Sequence, residues 1–160
     1  MVKRVLCVAN GFPRDARAVS LALNLAATYR ALFIALYVVD RRWADILGDE
    51  WISTARVRKS FYRYLGNELK NQAQVALESI SGAGGQLGLE VKALIKTGIP
   101  EKVIVECCTG FHVPDLLVLP YPPGKDVEGA LKLHPGKILG RVPCPVLMVP
   151  ANFRTPPAHR

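Results

Sequence analysis

Val5 to Ala9 reads VLCVA, an unbroken apolar run closed by Asn10-Gly11 and Pro13. A strand with one wet face alternates apolar and polar residues. A run without polar interruption suits a strand covered on both faces, as in a parallel sheet. Next along the chain, Val19, Ala22, Leu23 and Ala26 share one helical face at the 3.6-residue period. Ala31 to Val39, with Asp40 at its end, is the longest apolar run. It is well short of the roughly 18–20 residues that span a bilayer and reads as a second buried strand. Residues 41–55 carry Trp43 and Trp51, show no period, and read as a long loop packed onto the domain.

A long helix follows to about Ser81, its stripe set by Val57, Phe61, Leu65, Leu69, Ala73, Ala76, Leu77 and Ile80. Gly82, Gly84 and Gly85 are the expected terminators. Leu89 to Ile95 is a third strand. Gly98 and Pro100 open a third helix, with Val103, Ile104 and Cys107 facing inward. Pro114-Asp115 introduces a fourth strand, Leu116 to Leu119. A short helix from Lys137 to Val142 precedes the fifth, Val146 to Val149. Strands alternating with helices predict an α/β domain over residues 1–150, with a parallel sheet and helices on both faces. Residues 151–160 read as a frayed tail. In open sheets of this kind, ligands sit beyond the carboxyl ends of the strands where the strand order reverses. That directs attention to Asn10-Gly11 and to Pro120 through Gly124.

The chain has 160 residues, half of them hydrophobic, enough for one globular domain. MVKRVLCVA runs straight into apolar sequence without a small-residue cleavage site, so the expectation is a cytoplasmic protein without a signal peptide or membrane span. The four cysteines, Cys7, Cys107, Cys108 and Cys144, form no C-x-x-C pair and read as structural thiols, with neither metal nor disulfide framework. The net charge is +8. Half of that excess lies beyond Tyr121, on Lys125, Lys132, Lys137, Arg141, Arg154 and Arg160 against Asp126 and Glu128. Positive charge attracts phosphates, nucleic acids and acidic partners without choosing among them. No interleaved aromatics or nucleic-acid-reading motif accompany it, so nucleic acid is not an expected partner.

Taken in order, these segments resemble the universal stress protein family over nearly the whole chain. VLCVANGF resembles its first strand and turn, with Asn10 where an Asp usually stands. LYVVD (Leu36 to Asp40) resembles the end of its second strand. VKALIKTGIPEKVIVECC is similar to its third strand, Gly-x-Pro turn and following helix. VPDLLVLP resembles the fourth strand and RVPCPVLMVP the fifth. The resemblance implies a Rossmann-like five-stranded sheet in the order 3-2-1-4-5. It also implies a homodimer paired through the last strand, Val146 to Val149, and, in some members, ATP or another adenine nucleotide as ligand.

ATP-binding members carry Gly-x2-Gly-x9-Gly-Ser/Thr after the fourth strand, where glycines let backbone N–H groups reach phosphate oxygens at a helix start. Here the segment reads PYPPGKDVEGALKLHPGKIL. Pro120 replaces the first Gly. Pro123, or Gly124 after a one-residue shift, takes the second position. The Gly-Ser pair falls on Leu133-His134, or on Lys132-Leu133 counted back from CPVLMV. Proline supplies no N–H, so the expected phosphate cradle is damaged. Gly124, Gly136 and Lys137 are the residues left to meet a phosphate, with Pro120 at the edge. The base side implied by the resemblance, Ala9, Asn10 and Val38, survives better, because backbone contacts outlast side-chain change.

No catalytic constellation appears. His112 and His159 lie away from the strand ends, and His134 stands alone near them; the serines lack a nucleophile-elbow context. The expected function is a non-catalytic, regulatory binding role in stress response, with a nucleotide held by its base-side half. The alternatives are a slow ATP-hydrolysing enzyme and a nucleic-acid or acidic-partner module.

Overall fold

The computed structural model describes residues 1–9, 15–40, 55–110, 113–120, 133–150 and 154, with backbone alone at Asp40, 55–66 and Leu69. In chain order it contains β1 (Arg4–Val8), α1 (Asp15–Tyr29), β2 (Leu32–Asp40), α2 (Ala55–Gln86), β3 (Val91–Gly98), α3 (Pro100–Thr109), β4 (Leu116–Pro120), α4 (Gly136–Leu139) and β5 (Val146–Val149). All strand pairings are parallel, and the order is β3-β2-β1-β4-β5, as expected.

The unbroken apolar run of β1 is explained by two cores. Val5, Cys7 and Ala9 join the cluster that holds Ala18, Ala22 and Leu23 of α1 and Ala73 and Leu77 of α2. Leu6 and Val8 join the opposite cluster, with Val103, Ile104 and Cys108 of α3 and Ile138 of α4. In α1, Ala18, Ala22 and Ala26 are wholly buried at four-residue spacing, and their small side chains let the helix lie close on the sheet. At the amino end of the sheet, the Asp115 carboxylate accepts the N–H groups of Lys3 at 2.7 Å and Arg4 at 3.0 Å. The hydrogen bond from Lys3, reinforced by Arg4, holds its carboxyl below the usual range. This clip ties the start of β4 to the start of β1.

Several boundaries and one inward-facing residue differ from expectation. The helix α2 runs through Gly82, Gly84 and Gly85 to Gln86. It stops in a Schellman arrangement around Gly88, whose φ is 72°. There Leu89 N–H bonds the Gly84 carbonyl and Gly88 N–H bonds the Gly85 carbonyl, each at 3.0 Å. Gly84 serves packing instead: a Cβ there would collide with Cγ2 of Val91. Because Leu89 belongs to the cap, β3 starts later than expected, at Val91, and extends to Gly98. In α3 the buried thiol is Cys108, four residues beyond Ile104 on the same stripe, and Cys107 sits half-buried on its flank. The short helix is Gly136–Leu139, one residue earlier at its start and three shorter at its end.

Gly84→Ala should therefore destabilise the protein by about 1–3 kcal/mol, an overpacking penalty against a stiff β-branched neighbour. Gly85→Ala, with open space at its Cβ position, should be neutral or stabilising by up to about 1 kcal/mol through helix propensity. Paired urea denaturation curves read both signs.

Candidate functional site

β1 lies between β2 and β4, so the chain leaves the carboxyl end of β1 toward one side of the sheet and that of β4 toward the other. This is the topological switch point, where divergent connections open a crevice. Ala9 stands there, almost fully buried, its N–H bonded to the Leu36 carbonyl at 3.0 Å. Pro120 closes β4 opposite Val149 and is half-buried. Val38, also buried, sits on β2 opposite Lys96.

The side chains of these residues do not all converge. Ala9 packs in the core beneath α1 and α2, whereas Val38 packs beneath α3 and α4. Only on the Val38 face does the base-side reading meet the phosphate-side segment. Gly136 and Lys137 form the exposed first turn of α4. Asn10 and Gly124 lie outside the described residues, as do Trp43, Trp51, His112 and His159.

The segment that would carry the Gly-Ser pair is folded into the core. Leu133 is 6% exposed and shares a cluster with Val38 and the fully buried Ile138. The next amide, His134 N–H, donates to the Glu101 carboxylate at 3.2 Å. Lys137 N–H bonds the His134 carbonyl at 2.9 Å, and Ile138 and Leu139 N–H both bond the Pro135 carbonyl, at 3.0 and 2.9 Å. Pro135 has no N–H to offer. Four amides in the place of a phosphate cradle are thus engaged within the protein. One of them faces a carboxylate that is itself 4% exposed, in the first turn of α3. A phosphate there would meet negative charge where it needs donors.

Sequence reading missed Glu101, Asp15 and Tyr37. Asp15 is 8% exposed in the first turn of α1, where an acidic side chain favours the helix dipole. Burial pushes the Tyr37 phenol up, and the Asp15 charge pushes it further; the wholly buried Cys7 thiol rises for the same two reasons. Asp15, Tyr37 and Ala9 floor a groove of about 930 Å³ between α1 and α2, walled by Val19, Leu23 and Ile80. An acid directly after Pro13-Arg14 and another directly after Pro100 were the available signals, as first-turn positions of helices. Among the described residues, no group of three or more His, Cys, Asp or Glu is placed to hold a metal ion. No helix among them is long and apolar enough to cross a membrane.

Comparison with known proteins agrees with this fold. The sequence profile of the Universal stress protein family matches residues 1–150. Among solved structures, a hypothetical protein whose biochemical function was assigned from its structure superposes with a TM-score of 0.74 at 20% identity, covering 97% of this chain and 99% of its own. A universal stress protein in complex with cAMP gives 0.64 at 18% identity, covering 94% and 98%. A family protein from Arabidopsis thaliana with AMP bound gives 0.62 at 20% identity, covering 98% and 97%. A comparison with curated proteins finds no significant match.

If residues 133–139 are a core-anchored segment rather than an open ligand loop, Leu133→Ala should lower stability by about 2–4 kcal/mol. Lys137→Ala, at an exposed position, should change it by less than about 0.5 kcal/mol. Denaturant midpoints for the two variants, compared at constant m-value, check this contrast.

Proposed function

Because this chain belongs to the universal stress protein family, we propose that it is a non-catalytic binding protein of the stress response that holds an adenine nucleotide by its base and ribose. The base would lie at the carboxyl ends of β1 and β2, against Val38 and the backbone of Ala9 and Asn10. Phosphates would point away from residues 133–139. The observation that carries this reading is the hydrogen bond from His134 N–H to Glu101, which places the protein's own anion at the amide a phosphate would seek. Two relatives hold cAMP and AMP, each with a single phosphate group, and such ligands ask less of a phosphate cradle than ATP does.

The reading includes a homodimer. β5 is an outer strand of the sheet, paired only with β4 among the described strands, and its remaining edge would pair with that of a second copy. Hydrolysis plays no part in the proposal, because phosphoryl transfer depends on electrostatic clamping of the transferred group. The amides at 134 and 137–139 are engaged elsewhere.

Thermal-shift measurements with adenosine, AMP, cAMP and ATP at millimolar concentration test the proposal. AMP and cAMP should raise the melting midpoint by about 3 °C, and ATP should do no better than AMP. A midpoint several degrees higher with ATP than with AMP, or no response to any of the four, would refute it.

A further inference from the structure

The helices α1 and α2 cover the same face of the sheet, yet the stripes they turn toward each other leave a groove between them. On α1 the stripe is Asp15, Val19 and Leu23. On α2 it is Glu68, Gln72, Ala76 and Ile80, again at the four-residue spacing that keeps side chains on one helical face. The groove between them, about 930 Å³, is floored by Ala9 and Tyr37. Small residues keep it open: Ala16 and Ser20 on α1, Ser79 and Ala83 on α2. Val75 also lines it with 68% of its surface exposed, an apolar side chain that the domain's own packing leaves largely unused.

The charge of the lining runs against that of the chain. The protein carries +8 overall. Among the described residues, the lining holds two carboxylates, Asp15 and Glu68, and no lysine, arginine or histidine. Asp15 is 8% exposed, whereas Glu68 is open to solvent. A cavity of this size, mainly apolar with a few polar groups, is the form that small-molecule sites take. We propose that the groove binds a small organic ammonium ion with an apolar body. Its N–H groups donate to the Asp15 carboxylate, and its body lies against Val19, Leu23 and Ile80. A carboxylate accepts several hydrogen bonds on its two oxygens, so the ammonium adds to the contacts Asp15 already makes. Exclusion of water strengthens the attraction between the opposite charges. Glu68 contributes a weaker, solvent-screened attraction. Tyr37 supplies an aromatic ring, a group whose face attracts cations.

This site is separate from the nucleotide crevice. Val19, Leu23 and Ile80 pack with Cys7 and Ala9 on one face of the sheet. Val38, Leu133 and Ile138 pack on the other. Of the described residues given to the nucleotide, Ala9 alone borders the groove. An ammonium ion therefore binds here whether or not the crevice holds a nucleotide.

The test titrates the full chain, without nucleotide, with 2-phenylethylammonium chloride at neutral pH and follows side-chain methyl resonances. Saturable shifts are expected at Val19, Leu23 and Ile80, with Val38 and Ile138 unmoved, and a Kd of about 1 mM or below. The uncharged 2-phenylethanol and the anionic 3-phenylpropionate should each bind at least about tenfold more weakly. Asp15→Asn should weaken the ammonium about tenfold, and Glu68→Gln less than about threefold. Ser20→Phe, at an exposed position on the α1 wall, should block the groove with little change in the urea midpoint, so the steric arm holds even where Asp15→Asn fails to fold. Millimolar AMP should leave the bound probe in place. Equal binding of the alcohol or the carboxylate, binding that survives Ser20→Phe, shifts centred on Val38, displacement by AMP, or no saturable shift would each overturn the proposal.

Discussion

The central strand β1 has to be covered on both faces. Val5, Leu6, Cys7 and Val8 are all at 2% exposure or less, with odd-numbered positions against α1 and α2 and even-numbered ones against α3 and α4. Leaving either face open would return apolar surface to water at roughly 25 cal/mol per Å². Two helical layers are therefore obligatory. Right-handed crossovers between parallel strands then send the β2–β3 half to one side of β1 and the β4–β5 half to the other. The crevice at Ala9 and Pro120 is a by-product of that constraint. Its position follows from the covering of β1, and its chemistry from whatever the divergent connections bring to it.

At residues 133–139 the described part of the β4–β5 connection is unlike a phosphate cradle. Leu133 and Ile138 extend the apolar cluster of Val38 up to the strand ends. Glu101 reaches the same segment from α3 and takes the His134 amide. Together they exchange an open loop of donors for a closed turn anchored in the core. The basic charge nearby does not reverse this, since Lys137 is exposed and its N–H is already bonded. The base-side positions that are described, Ala9 and Val38, are themselves buried at the carboxyl ends of β1 and β2.

Much of this was legible in the sequence because it depends on local pattern. VLCVA announces two-sided burial, and Pro100 and Pro143–Pro145 mark where elements start. The errors came where a residue had two uses. Gly84 looks like a helix terminator but is a contact with Val91, and only the φ of 72° at Gly88 identifies the true cap. Cys107 and Cys108 are equivalent in a list of residues; the stripe through Ile104 separates them. The loss of glycines between Pro120 and His134 was visible from the motif alone. Glu101 was not, because its contact with His134 spans 33 positions of sequence that only the folded chain brings together.

The central claim is that the crevice holds a base while its phosphate side is closed by the protein itself. A crystal structure of the protein grown with ATP tests it most directly. The account predicts an adenine ring beside Val38 and the backbone of Ala9, with His134 N–H still on Glu101 and the phosphates directed away from residues 134–139. Phosphate oxygens bonded to the amides of that segment, with Glu101 displaced from His134, would contradict it.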